Sequence, residues 1–139
     1  MHILPERELE NNYADVYNNL YMGLTNVNLK VKNIKNPARV LDKNFLVDSG
    51  AIYTVVPADE LKKIGIEPQR EETFSLADGT TVKRKIGSAL YEFQGTEAPA
   101  PVIFGEKGDS LLMGVLTLEA LGLVLDPLQR KIHKAMLRL

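Results

Sequence analysis

This chain has no cysteine and no tryptophan, and its two histidines, His2 and His133, stand at opposite ends. Without cysteine there can be no disulfide, no thiolate nucleophile and none of the usual thiolate zinc sites. Two histidines so far apart, with no HExxH spacing, form no metal-binding pattern. A serine nucleophile would lack its base and its G-x-S-x-G elbow. Neither a metal nor a cofactor is therefore expected. An excess of one charge is also missing: 17 basic and 18 acidic residues leave a formal charge of −1. That balance gives no electrostatic reason to expect nucleic acid or an anionic membrane as partner. No run of apolar residues approaches a membrane span, and residues 1–21 are too polar for a secretory signal, so the expected compartment is cytoplasmic.

What is present reads as one domain with room for one core, 139 residues long. Two segments are expected: an extension over residues 1–21 and a folded domain over 22–139. In the extension, Leu9, Tyr13, Val16 and Leu20 recur at helical spacing, which predicts a helix over residues 6–20. Beyond Met22 the period changes to that of strands. Val27, Leu29 and Val31 alternate with polar neighbours, Asn36-Pro37 interrupts, and a second strand runs from Arg39 to Val47. Tyr53 to Val56 predicts a short buried strand, and Pro57 then opens a short helix, Ala58 to Ile64, that Gly65 ends. The runs Glu72–Leu76 and Thr80–Ile86 flank Ala77-Asp78-Gly79, a hairpin signal. Gly87 marks an expected bulge or bend, and Ser88 to Phe93 continues as strand. Pro99 and Pro101 either confine the next strand to Val102–Phe104 or place it on an edge. Gly105–Ser110 lacks the Gly-Lys-[Ser/Thr] ending of a phosphate loop and reads as a polar turn. A second short helix, Leu116 to Leu121, and two last strands, Leu123–Leu125 and Lys131–Leu137, close a mostly β chain.

The segment with most chemical content is Asp48-Ser49-Gly50-Ala51, directly after the apolar Phe45-Leu46-Val47. An acidic residue at the end of a buried strand is costly unless donors satisfy it. Ser49 can offer a hydroxyl, and Gly50 lets backbone N–H groups turn onto the carboxylate. The tripeptide D-[ST]-G alone is weak, since ordinary composition supplies it in roughly one chain of this size in twenty. Its context makes the case.

Four features, in order, make the chain resemble the retropepsin-like aspartic proteases, especially the small prokaryotic single-domain members. They are Phe45-Leu46-Val47-Asp48-Ser49-Gly50-Ala51; Tyr53-Thr54-Val55-Val56; the Ala77-Asp78-Gly79-Thr80 hairpin; and Leu111-Leu112-Met113-Gly114 followed by a short helix. The resemblance covers roughly residues 22 to 136. It implies a mainly β fold, a closed barrel with a psi-loop and one or two short helices, acting as a homodimer on an extended peptide or protein substrate. Asp48 would be the catalytic acid, supported by Ser49, Gly50 and Ala51. Ala77, Asp78, Gly79 and Thr80 would form the flap over the substrate, and Met113 and Gly114 would pack beside the catalytic loop. Two carboxylates about 3 Å apart share one proton and so supply a base and an acid together. D-[ST]-G occurs once here, so such a pair requires two chains on a twofold axis.

Ile52 and Val115 stand where retroviral members usually carry an Asp and an Arg. An apolar pair there replaces an ion pair, a change that is coherent because both partners change together. It also keeps open the alternative of a catalytically inactive, retropepsin-like peptide-binding or scaffolding module. In retropepsins the termini often interleave in the dimer sheet, and Lys131–Leu137 is the segment placed to do so here. Lys83-Arg84-Lys85 reads as a solvated strand face, with selection of acidic peptide segments as its sharper alternative. Tyr53 reads as core or pocket wall.

Overall fold

The computed structural model describes residues 25–126 and 128–136. The helix expected over residues 6–20, the boundary near residue 22 and the end of the last expected strand lie outside them. Strand β1 (Thr25–Lys32) pairs antiparallel with β2 (Val40–Val47) in an unbroken register from Thr25 opposite Val47 to Lys32 opposite Val40. Their alternation puts Leu29, Val31, Leu41, Phe45 and Val47 inside. Between the two strands the Asn33 side chain accepts hydrogen bonds from the amides of Lys35 (2.8 Å) and Asn36 (3.1 Å), which turns the chain before Pro37.

Strand β3 (Thr54–Pro57) leads into helix α1 (Ala58–Lys63), whose Asp59 and Glu60 start it and Lys62 and Lys63 end it, in accord with the helix dipole. Strands β4 (Arg70–Ser75) and β5 (Thr81–Phe93) form the expected hairpin. Strand β6 (Thr96–Gly105) returns along β5. The two-residue β7 (Leu112–Met113), helix α2 (Val115–Ala120), β8 (Leu123–Asp126) and β9 (Lys131–Lys134) complete the order.

Seven strands make one sheet in the order β1-β2-β7-β3-β6-β5-β4, and β1 also pairs with β5 through Lys30–Lys32 and Leu90–Glu92. That extra pairing closes six strands into a ring, with β4 outside it on β5. Strand β7 lies parallel to β2 and antiparallel to β3, so it is inserted between two strands that the 48–53 loop joins. This is the psi arrangement, inside a mainly β closed barrel. Phe45, Leu61, Ile86, Tyr91, Val102 and Met113 fill its core. Strands β8 and β9 form a separate two-stranded sheet.

Two expectations about breaks in the strands resolve differently. Gly87 makes no bulge: β5 runs through it, with Gly87 opposite Val102. A Cβ there would come within 2.8 Å of the Glu67 carbonyl oxygen, so clearance, rather than curvature, explains the glycine. Pro99 and Pro101 do not shorten β6, which spans ten residues. They lie in the half of β6 that pairs with β5 alone, because β3 joins only from Val102 to Gly105. Two residues apart, their nitrogens face the same open side, which is the edge placement that proline tolerates.

Candidate active site

Asp48 is the first residue after β2, and the inserted strand fixes its backbone. Its amide donates to the Met113 carbonyl at 3.0 Å, and its own carbonyl accepts from the Ala51 amide at 3.1 Å. The carboxylate Oδ1 accepts from the Gly50 amide at 2.8 Å. The donor is thus the glycine backbone; Ser49 is exposed. A Cβ on Gly50 would stand 3.2 Å from that same Oδ1, so the residue type and the hydrogen bond go together.

The loop carbonyls then hold the start of α2. Val115 donates its amide to Ala51 (2.8 Å) and Leu116 donates to Ile52 (3.0 Å), which satisfies amides that a helix start leaves without partners. Gly114 permits this approach. A Cβ there would lie 2.6 Å from the carbonyl carbon and oxygen of Tyr53, closer than any side chain can come. Met113 is fully buried beside the loop. The expected partnership of Leu-Leu-Met-Gly with the Asp48 loop is therefore a set of backbone hydrogen bonds plus one steric requirement.

Beneath the loop is a polar cluster that sequence reasoning did not find. The Gly114 amide donates to the Thr54 hydroxyl at 3.0 Å, and the hydroxyls of Thr54 and Thr117 are hydrogen bonded to each other; both residues are fully buried. Tyr91, also buried, donates its phenol to the Pro101 carbonyl at 3.1 Å. Burial drives the Tyr91 pKa far above its ordinary value, against the pull of hydrogen bonding with Thr117 and Thr54, so the phenol stays a neutral donor. The available signal was Thr54, a hydroxyl in an otherwise apolar buried strand.

The Ala77–Thr80 segment is brought to the tip of the β4–β5 hairpin. Leu76 donates to the Thr80 carbonyl (2.8 Å), and Gly79 has φ of 90°, which suits a three-residue hairpin loop. Asp78 Oδ1 accepts from both the amide (2.9 Å) and the hydroxyl (2.7 Å) of Thr80. Those bonds hold its carboxyl below the usual range and commit it to its own turn. Below the hairpin is a cavity of about 340 Å³ walled by apolar side chains that include Phe74, Val82, Ile103 and Leu112. Tyr53, leaving the Asp48 loop, packs edge-on against Phe74, a residue of that wall, with ring centroids 5.8 Å apart. A larger crevice of about 540 Å³, near Asn33, Arg39 and Gln69, includes none of the expected site residues in its lining.

Arg84 departs from the solvated face expected of it. Lys83 and Lys85 are exposed, but Arg84 turns inward to the cavity and pairs with Asp109. Among the described residues, no group of three or more His, Cys, Asp or Glu side chains is placed to hold a metal ion, and no helix is long and apolar enough to cross a membrane.

A sequence profile described as aspartyl protease matches residues 27–120, more than half of the chain. The chain belongs to the retropepsin-like aspartyl protease family. The matched span contains every residue expected at the site, from Asp48 through Gly114, and stops before β8. Among solved structures, this aspartyl protease chain is similar to the solution structure of the simian foamy virus (mac) protease. The two are 18% identical, the match covers 68% of this chain and 92% of that one, and the TM-score is 0.45. Comparison with curated proteins gives no match.

Proposed function

We propose that this protein is a homodimeric aspartic endopeptidase in which Asp48 of each copy holds one water between two carboxylates. The observation that carries this reading is the way the acids of the hairpin tip, the 106–110 turn and the Asp48 loop are used. Asp78 is committed to its own turn, and Asp109 to Arg84 and the amide of Glu106. Asp48 spends Oδ1 on the Gly50 amide and stands in a loop whose Ser49, Gly50 and Ile52 are exposed. On this reading the second carboxylate of the pair is a second Asp48, and the site is complete only when two loops meet.

One ionised Asp48 takes a proton from the water as its oxygen attacks the peptide carbonyl carbon. The other, protonated, gives its proton to the carbonyl oxygen. The tetrahedral diol then collapses. The Asp48 that took the water proton gives it to the amide nitrogen, and the other Asp48 takes a proton from a diol hydroxyl. The C–N bond breaks, and a carboxylic acid and an amine leave with the pair again sharing one proton. The substrate lies extended under the 77–80 hairpin, held by main-chain hydrogen bonds.

The test is Asp48→Asn, assayed on denatured-protein or peptide-library substrate with the dimer followed by sedimentation. Loss of the shared base predicts a fall in kcat of about 10²–10⁴-fold, in a variant that still dimerises. Unchanged cleavage would remove the reading. No cleavage by the parent chain, with extended peptide still bound, would favour the alternative of a non-catalytic binding module. That reading draws on Ile52 and Val115, the apolar pair beside the loop.

A further inference from the structure

The 106–110 turn is organised around one carboxylate. Asp109 Oδ2 accepts from the Glu106 amide at 2.7 Å, and the Asp109 amide donates back to the Glu106 carbonyl at 2.9 Å. The same carboxylate receives Arg84 through two nitrogens, Nε at 2.8 Å and Nη2 at 3.1 Å. Arg84 Nη1 donates to the Lys83 carbonyl at 2.9 Å and lies 3.6 Å from Glu106 Oε1. The Arg84 and Asp109 side chains are only 17% and 26% exposed. Two planar groups meeting through two bonds hold a direction as well as a distance. Arg84 belongs to the β4–β5 hairpin, and Asp109 belongs to the turn that leads into β7, whose Met113 carbonyl accepts from the Asp48 amide. Both line the cavity under the hairpin.

We propose that Arg84 is a positioning residue: its paired contact with Asp109 clasps the hairpin to the 106–110 turn and holds the wall of the cavity that both residues line. The bearing of this clasp on peptide cleavage rests on the function proposed above; its existence does not. Chemically it differs from the Tyr53–Phe74 ring contact and from the backbone pairing of β5 with β6, neither of which rests on charge. The pairing also makes the Asp109 carboxylate harder to protonate. Arg84 holds the Asp109 carboxyl below the usual range, so the contact is complete above the ordinary carboxylate pKa and is lost only as pH falls through the lower folded value. Glu106 faces Arg84 from the turn, and Glu72, directly opposite Arg84 on β4, has its carboxylate bonded to Arg70. Lys83 and Lys85 lie on the opposite face of β5, and Lys107 is exposed.

A chain without native cysteine allows a direct test. Ala77→Cys at the hairpin tip and Glu119→Cys on α2 take spin labels, and labelled chain diluted into unlabelled chain reports only intrachain distances. Arg84→Met removes the fork, while Asp109→Asn removes the charge and keeps an oxygen for the Glu106 amide. Each is expected to raise the population at long distance by about five-fold, the scale of a half-buried ion pair. The double variant should open no further than either single one, because both remove the same contact. Unchanged distances in the single variants, or additive opening in the double variant, would overturn the clasp. Label shifts with no peptide cleavage by the parent chain would leave the clasp standing and remove the peptidase reading.

Discussion

The Gly50 amide ties one oxygen of the Asp48 carboxylate, and under the proposed function the other oxygen would hold the reacting water. The residues below it do the holding. Thr54 takes the Gly114 amide, Thr117 bonds to Thr54, and Tyr91 lies against both while donating to Pro101. Hydroxyls suit this position because each both donates and accepts, so a small buried cluster can satisfy itself. Tyr91→Phe would delete the donor to the Pro101 carbonyl and leave two hydroxyls with fewer partners. It should cost about 1–2 kcal/mol in urea unfolding at neutral pH. A cost near zero would mean that the carbonyl finds another donor.

At the scale of elements, Gly114 is where β7, the Asp48 loop and α2 come together. The Tyr53 carbonyl occupies the space a side chain would need. Gly114→Ala must therefore displace either β7 or the strand leaving the loop. Overpacking of this kind at a backbone-to-backbone contact should cost about 3 kcal/mol or more. The expected result is a lowered denaturation midpoint at unchanged slope, together with loss of cleavage; an alanine variant as stable as the parent would show that the backbone yields easily. Elements of this kind were largely legible beforehand. Alternation in Val27–Val31, the Asp78-Gly79 turn and the apolar run before Asp48 all reflect local geometry, which sequence carries directly. The contacts that organise the site are not local. Arg84 and Asp109 are 25 residues apart, and Thr54 and Thr117 are 63 apart. Nothing in either pair's immediate neighbours announces the other. The clearance at Gly87 is non-local in the same way: the group that excludes a side chain is the Glu67 carbonyl, from the segment before β4.

For the whole molecule, the barrel closes on itself through β1 and β5, yet the Asp48 loop stays at its surface with an apolar side chain beside the acid. Ile52 is 60% exposed. An isoleucine so placed gains little from the fold of one chain, but would gain from a second chain facing the same loop across a twofold axis. Under the proposed dimer its role would be in assembly instead of folding, and the two roles can be separated. Ile52→Glu should leave the unfolding free energy of the isolated chain within about 0.5 kcal/mol, as exposed substitutions generally do. In the dimer it would bury two like charges near the axis, where loss of an apolar anchor alone is worth about 1–2 kcal/mol. The dimer dissociation constant, measured by sedimentation, should therefore rise by about ten-fold or more. Cleavage by the variant should be depressed at low protein concentration and recover as concentration rises, because only the paired state carries two carboxylates. If the variant dimerises as the parent does, Ile52 lies outside the interface and the two Asp48 loops do not meet as proposed. If it unfolds, the exposed isoleucine is instead part of the core of a single chain.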